Sequence, residues 1–192
     1  MIRTEIDWQE IKAAADHLGA TEKQVGMAIS RALSRTAGTM RARASRALRK
    51  GLDVRRANTL RKRLRELRAG RRTRGSSSGQ QLREISLWIG LNDLAVSDLK
   101  GRPAKTATGA EFRGRTYQGA FVAVGKKGAR TIYKRAGRGR FPISEQTFPI
   151  KDRADVILED DVFDDLVDVF MKNFMSDLRA RVLHGVGRQR GN

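Results

Sequence analysis

The chain is predicted to fold as an α+β protein: long basic N-terminal helices, a small antiparallel β-sheet and a C-terminal amphipathic helix packed on that sheet. Three changes of pattern lead to this. Apolar residues recur at helical spacing from Trp8 to Leu48, the period falls to two from Leu82, and helical spacing returns from about Asp160 to Leu183. On this reading residues 1–74 form a basic helical region, 75–81 a Gly/Ser connector, 82–150 an antiparallel β region, 151–186 the C-terminal helix and 187–192 a flexible tail, all within one domain of 192 residues.

The first helix is predicted over Trp8 to Leu18, with Trp8, Ile11, Ala14, Ala15 and Leu18 on one face and Gly19 to end it. Thr21 and Gln24 have the spacing of a capping box for a second, longer helix. Its stripe runs through Val25, Ile29, Ala32, Leu33, Thr36, Ala37, Met40, Ala44, Ala47 and Leu48 to a stop at Gly51, a length of roughly 40 Å. Asp53 is placed as the N-cap of a shorter helix, Val54 to Leu67, whose stripe of Leu60, Leu64 and Leu67 is thin. Gly70, Gly75, Ser76, Ser77, Ser78 and Gly79 then mark a connector.

In the β region Ile85, Leu87, Ile89 and Leu91 alternate with Glu84, Ser86, Trp88 and Gly90, the signature of a strand. A loop is predicted over Asp98 to Gly114, followed by a hairpin of Tyr117 to Val124 and Thr131 to Arg135 turning at Gly125 to Gly128. Pro142 and Pro149 confine Phe141 to Ile150 to an edge or a connection. In the last helix Phe163, Leu166, Val167, Phe170 and Phe174 share one face, while Asp161, Asp164, Asp165 and Asp168 occupy the opposite one. Beyond Phe170 the stripe drifts to Met171, Met175, Leu178 and Val182, marking a second contact that serves as core or oligomer seam.

Charge is partitioned along the chain. Residues 31 to 74 hold 17 Lys or Arg against Asp53 and Glu66, whereas residues 152 to 168 hold eight carboxylates against Arg153 alone. Arg31, Arg35, Arg46 and Arg49 fall within about 60° of one another around the second helix. With Arg55 and Arg56 they make a basic surface suited to a protein partner or to nucleic-acid phosphates, the net charge of +19 being the usual footprint of a nucleic-acid binder. No aromatic residues interleave with these arginines and no base-reading motif is present, so phosphate contact without sequence readout is the nucleic-acid alternative.

Chemistry is not advertised. The absence of Cys excludes disulfides, thiolate metal sites and cysteine nucleophiles. His17 and His184 stand apart from any Ser or Asp at a catalytic spacing, and the aspartates of the last helix lack the tight turn of a calcium loop. Gly119 to Lys126 has five residues rather than four between its glycines and no Ser or Thr after the lysine, which argues against a phosphate loop. No enzyme, cofactor or metal is therefore expected. Met1 to Trp8 has three charges and no signal-like apolar run, and no stretch approaches the roughly 20 apolar residues of a membrane span, so no membrane association is expected.

One segment carries a resemblance. Gly119-Ala120-Phe121-Val122, followed by Ile132-Tyr133-Lys134-Arg135-Ala136-Gly137-Arg138-Gly139-Arg140-Phe141-Pro142-Ile143, resembles the minor tail protein Z, or tail completion, family of long-tailed bacteriophages. Ala28-Ile29-Ser30-Arg31-Ala32-Leu33 looks like that family's opening signature, and the order of elements agrees over most of residues 22 to 185. The Gly/Ser connector and the acidic start of the last helix depart from the pattern.

The resemblance implies a structural protein at the head-proximal end of the phage tail, assembled in the host cytoplasm and acting in tail assembly and head-tail joining rather than turnover. It implies a homo-oligomeric ring, with a hexamer favoured, that contacts other tail or neck proteins; a second reading has the Arg31 to Arg74 region touch the genomic DNA end. A ring needs two different patches per subunit. The face of Asp161, Asp164, Asp165 and Asp168 against an Arg-rich face of a neighbour or of an adjoining tail protein is the expected pairing.

Overall fold

The computed structural model describes residues 7–69, 84–125 and 128–185. Its elements are those of an α+β protein: two N-terminal helices, small antiparallel sheets and helices toward the C-terminus. They cluster into two compact units that cut across the sequential segments. The first takes its described residues from the chain up to Ala44, from Arg65–Trp88 and from Asp161 onward; the second consists of Ser45–Leu64 and Ile89–Asp160.

In the first unit, α1 (Trp8–His17) begins where the Asp7 carboxylate accepts from the Gln9 amide at 2.8 Å. It ends at Gly19, whose φ of 61° is the left-handed conformation that glycine tolerates. The capping box is formed as the sequence predicts: the Thr21 amide donates to Gln24 Oε1 at 2.9 Å and the Gln24 amide donates to Thr21 Oγ1 at 3.3 Å. From there α2 (Glu22–Gly51) runs uninterrupted, its residues up to Ala44 belonging to this unit.

The core of the first unit joins both ends of the chain. Ile11 of α1, Ala28 and Ala32 of α2, and Phe170, Phe174 and Leu178 of α5 (Leu166–Leu183) form one buried cluster, with Phe170 and Phe174 stacked at 6.2 Å. The C-terminal helix thus buries apolar residues against the N-terminal helices. Ala28 and Ala32 have no exposure at all, and their small side chains leave the depth that two phenylalanine rings require. Asn173 Nδ2 donates to Thr36 Oγ1 at 3.0 Å, and Gln24 Nε2 donates to the Arg181 carbonyl at 3.2 Å, fastening α5 to α2. A two-stranded sheet of β1 (Leu64–Ala69) and β2 (Glu84–Ile89) lies mostly in this unit. The connector at 75–81 and the tail at 187–192 lie outside the described residues.

The second unit is built on short antiparallel strands. β3 (Leu94–Ala95) pairs with β10 (Thr147–Phe148). β4 (Ala104–Thr106), β5 (Gly109–Phe112) and β6 (Arg115–Gln118) form one three-stranded sheet, while β7 (Ala120–Val124), β8 (Arg130–Arg135) and β9 (Ile143–Glu145) form another. The β7–β8 hairpin turns where the sequence places it, and β9 is an edge strand as the two prolines require. The expected loop over Asp98 to Gly114 instead contains β4 and β5. Its inward positions are Ala110 and Phe112, and a Cβ on Gly109 would collide with the Tyr117 carbonyl oxygen.

Two helical expectations are corrected. Val54 to Leu67 is not a helix: only α3 (Ala57–Arg61) is helical, and Leu64 already starts β1. Asp53 is no N-cap but a turn residue with φ of 54°. The competing interaction is a backbone bridge, in which Val54 pairs with Leu99, Arg55 N donates to Asp98 O and Lys100 N donates to Asp53 O.

The C-terminal helix is also interrupted, since α4 (Lys151–Leu158) leads into a π-helical turn at Glu159–Phe163 before α5. Asp160 and Asp164, Asp161 and Asp165, and Asp164 and Asp168 would repel as i,i+4 pairs on a regular helix, and the wider turn changes that spacing.

Tyr117 is buried and donates to the Thr147 carbonyl at 2.9 Å. Burial pushes its pKa above the ordinary 10.0, Arg115 opposing and Asp93 adding to the shift. The folded state therefore holds the phenol proton where the unfolded chain releases it, so stability present below pH 10 falls as pH rises beyond it. Tyr117→Phe is expected to cost about 1 kcal/mol at neutral pH and to show a shallower alkaline decline than the parent, read by urea unfolding between about pH 9 and 11. In the first unit, Phe174→Ala is expected to cost about 3–5 kcal/mol, read as a lowered denaturant midpoint.

Candidate interaction surfaces

Five residues of α2, Met27, Ser30, Arg31, Ser34 and Arg35, are spaced so that they share one helix face, and with Arg181 of α5 they line an open cleft of about 440 Å³. Arg181 is held by an ion pair. Arg181 Nε donates to Asp177 Oδ2 at 2.5 Å, both side chains being more than nine-tenths buried, and their i,i+4 spacing on α5 makes the pairing local. Asp177 Oδ1 lies 3.5 Å from Nε of Arg31, whose side chain is 57% exposed. The carboxylate thus orients one buried and one exposed guanidinium. Nη1 of Arg181 faces the Met27 sulfur at 3.5 Å, a weak acceptor. Arg35 is exposed beside them.

The four aspartates expected to form one acidic helix face are distributed over the helix break. Asp161 lies in the π-turn, Asp164 and Asp165 in the turn that follows, and Asp168 in the first turn of α5. Asp165 is bound within the chain, its Oδ1 accepting from Arg43 Nη1 at 2.5 Å. Asp161, Asp164 and Asp168 are exposed and make no ion pair among the described residues. The surface offered to a partner is therefore three carboxylates, with Asp165 held to α2.

Of the remaining arginines singled out in the sequence, Arg46, Arg49, Arg55 and Arg56 are exposed and belong to the second unit, whereas Arg31 and Arg35 belong to the first. Arg55 is engaged within the fold, where its Nε donates to the Leu99 carbonyl at 2.6 Å and Nη2 to the Gly101 carbonyl at 2.7 Å, closing the bridge at Val54. The segment carrying the family resemblance forms the β7–β8 hairpin and an exposed loop after it. Arg135 lies 5.4 Å from the Phe121 ring centroid and donates to the Arg140 carbonyl at 2.7 Å, and the Ala136 amide donates to the Pro142 carbonyl at 3.1 Å. That closed loop presents Phe141, 70% exposed, beneath the Arg140 guanidinium.

One residue of the expected seam is fully buried inside the chain. Leu178 is in the core of the first unit, and Met171, Met175 and Val182 are partly buried against that core. Sequence reasoning missed Asp177, Arg181, Ser30, Ser34 and Arg43. The four-residue spacing of Asp177 and Arg181 was the available signal; the pairing of Arg43 with Asp165, from opposite ends of the chain, had none.

Among the described residues no group of three or more His, Asp or Glu side chains is placed to hold a metal ion, and no helix is long and apolar enough to cross a membrane. Comparison of the chain with protein-family models finds no match, and neither curated proteins nor solved structures give one.

Removing one member of the buried pair strands the other's charge. Asp177→Asn is expected to cost about 3–5 kcal/mol in urea unfolding, while replacing both partners by Leu and Met is expected to cost less than the single change.

Proposed function

We propose that this chain is an assembly component of a long-tailed phage or a phage-derived particle, a tail-completion protein that joins copies of itself into a ring at the head-proximal end of the tail. The observation that carries the reading is the surface left by the in-chain pairing. Asp165 is bound to Arg43 while Asp161, Asp164 and Asp168 remain exposed around the helix break, and the chain separately exposes Arg49 and Lys50. Two unlike, complementary patches on one subunit are what a head-to-tail ring contact needs. The resemblance of residues 119–143 to the tail completion family supports the setting, and the exposed loop with Arg138, Arg140 and Phe141 adds residue types enriched in protein interfaces.

The test is assembly of the full chain, followed by light scattering and electron microscopy. Closed rings are expected at about 0.1 M salt, and the triple substitution Asp161→Asn, Asp164→Asn, Asp168→Asn is expected to weaken association at least tenfold with the helical circular dichroism unchanged. A strictly monomeric parent, or rings indifferent to both the substitutions and salt, would overturn the proposal.

A further inference from the structure

We propose that the cleft between α2 and α5 is a phosphate site that grips the backbone of a nucleic acid. This rests on the cleft alone and stands whether or not the chain forms rings. Three guanidinium groups, Arg31, Arg35 and Arg181, and two hydroxyls, Ser30 and Ser34, line one open cavity, and one buried carboxylate, Asp177, pairs with Arg31 and Arg181. The local balance of three cations and one anion favours an anionic ligand.

Arg181 adds a second, independent indication. It is only 7% exposed, yet beyond its bond to Asp177 its Nη1 is matched with a thioether sulfur, the weakest acceptor a buried guanidinium could be given. A guanidinium has five N–H donors in a fixed fork, and an incoming oxyanion supplies the strong acceptors that sulfur does not. Asp177 works here as a positioning residue. Held by Arg181 and within 3.5 Å of Arg31, it aims these side chains without filling the space above them.

The donor set selects phosphate over carboxylate, because hydroxyl and guanidinium donors from two rows of α2 and from α5 can be satisfied together by several tetrahedral oxygens but not by two coplanar ones. The shape selects a polymer over a free ion. The cleft is open along the helix flank, leaving room for a strand to enter and leave, and a net charge of +19 concentrates a polyanion around the whole chain. With no aromatic side chain lining it, the cleft reads the backbone and not the bases.

The experiment is fluorescence anisotropy of the full chain with a labelled duplex of about 20 base pairs over a series of salt concentrations. Arg35→Gln is expected to weaken binding about three- to tenfold and to reduce the slope of log K against log salt by about one. Ser30→Ala with Ser34→Ala is expected to weaken it about two- to fivefold at unchanged slope, since no charge is lost. Arg102→Gln and Arg153→Gln, exposed arginines remote in sequence from the cleft, are the controls for general charge and should have smaller effects. Equal losses for Arg35→Gln and the controls, or no loss for the serine pair, would overturn the site. So would inorganic phosphate binding that is sensitive to Arg35→Gln while DNA affinity is not, since the cleft would then hold a small ion alone.

Discussion

The contact on which the first unit depends is the seating of Phe170, Phe174 and Leu178 against Ala28 and Ala32. It is a constraint of size: where α2 carries alanines, α5 can bring aromatic rings down to the helix surface and bury them completely. The helical content of a highly charged sequence does not by itself make a fold, because helical stability comes mainly from burying an apolar face. Here that face is completed only when residues near both ends of the chain meet. The same seating puts Arg181 beside the Met27–Arg35 face of α2, and places Asn173 opposite Thr36.

Much of the helical part was legible because its signals are local. Thr21 and Gln24 sit three residues apart and satisfy each other's end of the helix, and Gly19 supplies the backbone angle that ends α1. The β7–β8 hairpin was legible for the same reason. What was not legible depends on residues distant in sequence. Val54 and Arg55 look helical until Asp98–Lys100 offer their backbone groups as partners, and nothing in the sequence of α5 marks Ala28 and Ala32 as the residues its rings meet. The π-turn at Glu159–Phe163 escaped because periodicity assigns a fixed rotation to every residue, and the extra residue of a wider turn breaks that assumption.

The candidate surfaces show the same division. Periodicity placed Arg31 and Arg35 on one face of α2, and that face lines the cleft. It could not show that Arg55 is occupied with the Leu99 and Gly101 carbonyls, that Arg43 holds Asp165, or that Leu178 is buried in a core against which Met171, Met175 and Val182 pack. Exposed charge is readable from composition, whereas the fraction of it left for a partner depends on the pairs made within the fold. The resulting picture is a basic protein whose internal ion pairs, Asp177–Arg181 and Asp165–Arg43, organise the charges that remain outside.

The central claim is that the two ends of the chain share one core, and native-state hydrogen exchange tests it directly. The account predicts that amides of α1, of α2 up to Ala44 and of α5 become accessible together, with one common opening free energy and one common denaturant dependence. Exchange of α5 at its own rate, with α1 and α2 still protected, would contradict it.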